Sequence, residues 1–147
     1  MTTHALSPAD RARRLVRVLI VDDMPQVLHD LRLLLELSGA VEVVGEARDG
    51  QEAIRLCAKL SPEVIVMDLE MRGMDGYEAT RQIKARDSSR RVVILSVHAD
   101  LEQRERVRIA GADDFVVKGD NYEILVNAIL RRNSPPSSIS PQKGPKK

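Results

Sequence analysis

Asp22, Asp23 and Asp68 stand where apolar runs stop: VLIV ends on Asp22 and Asp23, and VIVM ends on Asp68. Ser96 and then His98 follow VVIL, and Lys118 follows FVV. Carboxylates gathered without a cation repel one another and raise each other's pKa, so the three aspartates call for a positive occupant. Oxygen donors suit a hard divalent ion, and Mg2+, held by one or two carboxylates, waters and a phosphate oxygen, fits Asp23 and Asp68. A carboxylate can itself attack phosphorus and become an aspartyl phosphate. Lys118 then supplies a second positive point and Ser96 a hydrogen-bond donor. A paired aspartate at a strand end can equally be a helix N-cap. The ordered set, one chemical group per run, is what points to phosphoryl chemistry.

The elements that must position these residues alternate along the chain. RVLIVDD leads to PQVLHDLRLLLELSG, VEVVGEA to QEAIRLCAKLS, EVIVMDL to GYEATRQIKARD, VVILSV to ADLEQRERVRIAG, and DFVVKG to NYEILVNAILRRN. Each pairs a run of strand length with a segment of helical period, which predicts an α/β chain of five βα units. The strands are Val/Ile/Leu runs without polar alternation, as expected of a parallel sheet covered by helices on both faces. Pro25 in a first turn, Gly39 and Gly111 at exits, and Asp100 and Glu102 near a start mark the helix ends. Ligands bind such a sheet at the carboxyl ends of its strands. Asp22, Asp23, Glu46, Asp68, Glu70, Ser96, His98 and Lys118 are thereby expected on one rim.

With 147 residues, 43% of them hydrophobic, the chain can build one ordinary core. Aromatics make up 2% and tryptophan is absent, which leaves little flat surface for stacking bases or a flavin. The single cysteine, Cys57, falls in a helical segment and reads as a buried hydrophobe in a reducing compartment. No apolar run approaches the ~20 residues of a membrane span and no secretion signal opens the chain. A soluble, cytoplasmic protein without membrane contact is expected. The net charge of +1 divides into +2 over residues 1–15, +3 over residues 133–147 and −4 between them, a poor match for direct DNA binding. Residues 1–15 read as a flexible extension, 16–132 as the folded domain, and the Pro-, Ser- and Lys-bearing residues 133–147 as a disordered tail.

The segments VLIVDD, VIVMDLEMRGMDG, ILSVHA and GADDFVVKG resemble the receiver domains of two-component response regulators, over about residues 16–132. The resemblance implies a flavodoxin-like (βα)5 three-layer sandwich with a five-stranded parallel sheet of order 2-1-3-4-5, an order that periodicity does not give. It implies that Asp68 is the phosphoacceptor, that Asp22 and Asp23 hold Mg2+ with it, and that the main-chain carbonyl of Glu70 completes the ligands. Ser96 matches the hydroxyl that moves toward the phosphoryl group, Lys118 the lysine that pairs with it, and Phe115 the aromatic switch residue. The implied donor is a sensor histidine kinase or a histidine phosphotransfer domain. The implied response is a change of partner or self-association through the fourth helix, fifth strand and fifth helix. This describes a phosphorelay switch, not an enzyme. VEVVGEARDGQEAI resembles receivers usually fused to a LuxR-type helix-turn-helix. The 147 residues hold no such segment, so a stand-alone receiver without direct DNA binding is expected.

The chain also departs from the family pattern. Lys118 is followed by Gly119 where many receivers have proline, so no cis proline can hold that turn. MRGMDG places Arg72 where the family usually has proline, either as a solvated loop residue or as a contact to the phosphoryl group or a partner's phosphate. Glu70 and His98 occupy rim positions that in the family influence phosphoryl lifetime, while His4 and His29 have no metal-ligand spacing. On NYEILVNAILRR the apolar residues wrap over half the circumference, so Val126 and Leu130 are candidates for a homodimer or downstream-partner interface, against ordinary partial exposure. On the first helix Val27, Leu28, Leu31, Leu34 and Leu35 are expected to face the core, leaving Leu33 and Leu37 for a phosphodonor. LEQRERVRIAG is charged and thinly apolar, as a mobile switching element would be. An Asp-nucleophile phosphatase would need an aspartate where Glu70 stands, and a flavodoxin-like electron carrier a glycine-rich loop where DDMPQV stands. A receiver-like module that binds without phosphorylation stays open.

Overall fold

The computed structural model describes residues 14–131; the extension and tail expected over 1–15 and 133–147 otherwise lie outside the described residues. Five parallel strands, β1 (Val16–Val21), β2 (Val41–Ala47), β3 (Val64–Met67), β4 (Arg91–Ser96) and β5 (Asp114–Val117), pair in the order β2-β1-β3-β4-β5. Helices α1 (Pro25–Leu37), α2 (Gly50–Leu60), α3 (Gly76–Arg86), α4 (Leu101–Ala110) and α5 (Tyr122–Leu130) follow them in turn. This is the flavodoxin-like sandwich expected.

The strand alternation splits the core in two. Val18, Ile20, Val66 and Val93 point to the layer of α1 and α5, where they meet Leu28, Leu35, Leu125 and Ile129. Leu19, Val21, Ile65 and Ile94 point the other way, to Ile54, Ile83 and Val107 of α2, α3 and α4. All four residues of β3 are buried, as the middle strand of a covered sheet requires.

The helix starts follow from local chemistry. Asp49, Asp75, Asp100 and Asn121 each accept a backbone N–H from the first turn of α2, α3, α4 and α5. α1 differs: Met24 precedes Pro25 without a side-chain cap, so neither Asp22 nor Asp23 is consumed as an N-cap. Asp22 Oδ1 accepts the Met24 N–H at 2.9 Å, which leaves its Oδ2 and the Asp23 carboxylate to the rim.

Two apolar faces differ from expectation. On α1, Leu28 and Leu35 are buried and Val27 and Leu31 half-buried, but Leu34 is exposed beside Leu33 and Leu37. α1 lies over the sheet on a narrow stripe, and Leu34 falls on its flank. On α5, Leu125, Ala128 and Ile129 face the core; Val126 is half-buried against it, so of the expected interface pair only Leu130 is exposed, as is Ile124.

The amino-terminal edge of β4 and β5 is fastened to the end of α5. Asp114 is fully buried and pairs with Arg131, while Arg91 lies 3.8 Å from the same carboxylate. Arg91 also donates to the carbonyls of Arg131 at 2.6 Å and Ala128 at 3.1 Å, closing the last turn of α5. Among the described residues no helix is long and apolar enough to cross a membrane.

Candidate functional site

Parallel register brings the strand ends together. Val21 is level with Met67 and Met67 with Ile94, so the residues after β1 and β3 emerge side by side. The N–H of Asp68 donates to the carbonyl of Val21 at 3.0 Å, and that of Lys118 to Ser96 at 2.8 Å. Asp22, Asp23 and Asp68 each present a carboxylate oxygen within 4.8 Å of the others. Asp22 and Asp68 are buried and Asp23 half-buried, so the cluster sits at the lip of the core. Lys118 Nζ lies 2.8 Å from Asp22 Oδ2 and 3.3 Å from Asp68 Oδ1.

Burial, and then the charge of Asp22, push the Asp68 carboxyl up to about 6, against the opposing pull of Lys118. Burial alone would lower the Lys118 ammonium, but its bond to Asp22 and the charge of Asp68 outweigh this and raise it. The lysine therefore stays charged, and the pair Asp22–Lys118 is a fixed dipole aimed at Asp68.

The loop from β3 to α3 closes beneath the cluster. A Cβ on Gly76 would lie 2.1 Å from the Asp68 carbonyl oxygen, a backbone clash that only glycine avoids. The Arg72 N–H donates to Asp23 Oδ2 at 3.3 Å, so Arg72 meets the acidic site through its backbone. Its exposed side chain lines an open cleft of about 490 Å³ with Asp23, Gln26, Arg48 and Asp49, which Asp23 alone of the three clustered aspartates reaches.

The other rim residues are placed less centrally. Ser96 is buried at the end of β4, its Oγ accepting the His98 N–H at 3.3 Å. His98 and Glu70 are both exposed, with Nε2 and Oε2 3.8 Å apart. Glu46, expected on this rim, is engaged instead by Arg32 at 2.7 Å. Phe115 is buried under α4, with the Arg104 guanidinium 4.6 Å from its ring centre. Lys118 leads into Gly119 at φ +94°, a left-handed geometry in which a proline could not stand, and no cis peptide occurs among the described residues.

The profile of the response regulator receiver domain matches residues 18–130. The chain belongs to that family. Among similar proteins, the transcriptional regulatory protein LiaR of Bacillus subtilis is 41% identical over 115 residues, covering 78% of this chain and 54% of LiaR. This receiver spans about half the length of the curated relatives it matches. A two-component response regulator of the LuxR family from Aurantimonas superposes with a TM-score of 0.76 at 34% identity, covering 81% of this chain and 88% of that one. The isolated receiver of RcsB from Salmonella enterica, solved with a beryllofluoride phosphomimetic, superposes at 0.73 with 28% identity, covering 86% and 97%.

Two features of the receiver escaped the sequence reading. Gly76 stands in it only as the first residue of the helical segment GYEATRQIKARD; nothing in a single sequence marks its approach to the Asp68 carbonyl. Lys118 was assigned to the phosphoryl group alone, whereas its shorter contact is to Asp22.

Proposed function

We propose that the receiver accepts a phosphoryl group on Asp68 from a phosphohistidine on a sensor kinase or phosphotransfer domain, in a Mg2+-dependent reaction. The observation that carries this reading is the meeting of Asp22, Asp23 and Asp68 within 4.8 Å, with Lys118 bridging two of them. An Asp68 oxygen attacks phosphorus, the phosphorus–nitrogen bond breaks, and the imidazole departs with the electron pair. With its carboxyl at about 6, Asp68 is mostly ionised at neutral pH and more basic than an ordinary aspartate. Lys118 stands where the negative charge increases, held by Asp22, and Ser96 supplies a hydroxyl from the next strand end.

The donor set fits a hard divalent ion: oxygen atoms only, of three carboxylates, two of them buried. Asp22, Asp23 and Asp68, with the main-chain carbonyl of Glu70, would hold Mg2+. Held there, the ion would supply positive charge to offset that of the transferring oxygens. Residues 16–132 form the receiver unit, and its role is that of a cytoplasmic switch modified on its own aspartate.

The response passes through the surface of α4, β5 and α5 when Ser96 and Phe115 rearrange. On this surface Leu130, Ile124 and Leu101 are exposed to a downstream protein or second copy. Glu70, His98 and Arg72, exposed around the site, modulate phosphoryl lifetime. Incubation with acetyl phosphate and Mg2+ followed by intact mass tests the reaction. Wild type is expected to gain one phosphoryl group and Asp68→Asn none; equal gain in both, or no gain in wild type, overturns it.

A further inference from the structure

α4 is held to the body in an unusual way for an amphipathic helix. Only Val107 is buried, while Leu101 and Ile109 are 82% and 71% exposed. Gln103 and Ala110 are half-buried beside it, and two arginines stack on rings of neighbouring elements. Arg106 lies 3.7 Å from the Tyr77 ring centre on α3, and Arg104 lies 4.6 Å from that of Phe115 on β5. Stacked cations hold less strongly than a buried aliphatic face. α4 is therefore seated with little buried aliphatic area, and the arginine stacks add to its attachment.

Arg104 has a second contact that Arg106 lacks here. Its Nε donates to the carbonyl of Ala99 at 3.1 Å, in the loop that starts at Ser96. One guanidinium thus covers the ring of Phe115 with its face and grips the β4–α4 loop with its edge. A planar group with directed donors can do both; an aliphatic side chain or a lysine cannot. Phe115 precedes Lys118 by three residues on β5, and Ala99 follows Ser96 by three, so Arg104 joins the chain segments that lead from the two sides of the site. If the loop moves with Ser96, the stack on Phe115 and the bond to Ala99 cannot both keep their present geometry.

We propose that Arg104 is a positioning residue that sets where Phe115 rests and couples that ring to the β4–α4 loop. Arg104 acts on the equilibrium between two arrangements of α4 and leaves phosphoryl transfer to Asp68 unchanged. This rests on the reading that Asp68 is phosphorylated and that Ser96 and Phe115 respond.

Phe115 is the only phenylalanine in the chain, so fluorophenylalanine labelling gives a single 19F resonance at the switch itself. The resonance is recorded with and without Mg2+ and beryllofluoride in wild type, Arg104→Ala and Ile109→Ala, beside phosphoryl gain by mass. In Arg104→Ala the free resonance is expected to move or broaden, and the beryllofluoride-induced shift to fall by at least half, with the phosphorylation rate within twofold of wild type. Ile109→Ala, on the same helix, is expected to match wild type. A wild-type resonance and response in Arg104→Ala would overturn the assignment, as would an equal change in Ile109→Ala, which marks general loosening of α4. Absence of phosphoryl gain in wild type would instead overturn the reading beneath it.

Discussion

Replacing Asp68 by asparagine is expected to stabilise the metal-free receiver while abolishing phosphorylation. The substitution keeps the shape and removes one of three charges whose oxygens lie within 4.8 Å. Two unit charges at that distance repel by about 3.5 kcal/mol at an effective dielectric of ~20, and Lys118 offsets part of this. The titration of Asp68, raised first by burial and then by the charge of Asp22, gives a figure of the same order for the whole cost of its charge. Its carboxyl rises from 3.8 to about 6 in the fold, which at ~1.4 kcal/mol per unit is about 3 kcal/mol. The folded state binds this proton more tightly than the unfolded chain, so its contribution to stability falls as pH rises from about 4 through about 6, then stays low. The gain in Asp68→Asn should therefore be about 1 kcal/mol at pH 4.5 and about 3 kcal/mol at pH 8. Urea denaturation of both proteins in EDTA at the two pH values measures it. Saturating Mg2+ at pH 8 should narrow the difference by stabilising wild type more. No gain at pH 8 in EDTA, or the same gain at both pH values, would refute the electrostatic account of the cluster.

Gly76→Ala should destabilise the fold by about 1–3 kcal/mol in urea, because the new Cβ forces the Asp68 carbonyl aside. It should also slow phosphoryl gain from acetyl phosphate at least tenfold; an unaffected rate would show that the loop yields without moving the site. Beryllofluoride with Mg2+ is expected to shift the receiver toward a dimer in sedimentation, and the pair Ile124→Asp and Leu130→Asp to abolish the shift. A monomer under both conditions would remove self-association through α5.

The sheet was legible because each strand is an unbroken apolar run, a pattern that burial on both faces produces. The rim was legible for a related reason: in a parallel sheet all carboxyl ends share one edge, so polar residues closing successive runs must be neighbours. Strand order was not contained in periodicity and came from family resemblance. Leu34 and Val126 were harder, because a helix rich in leucine or valine fits several rotations equally well, and only the sheet's surface chooses one. Arg104 was not distinguishable from the other charged residues of α4. Its role comes from the tertiary closeness of Phe115 and Ala99, which helical spacing does not encode. The turn at Gly119 shows the limit of analogy, since the chain turns there through a glycine at φ +94° that no proline could replace.

The clasp of Arg91, Asp114 and Arg131 lies at the opposite pole of the sheet from the aspartate cluster, one strand length or ~13–20 Å away. Any stretch of chain continuing past Arg131 leaves from a point bolted to the bases of β4 and β5. Tension on that stretch is borne by charged side chains and carbonyls at the sheet's base before it reaches the frayable end of α5. The chain's exit from α5 is thus anchored to the sheet's base, at the end remote from the acidic cluster.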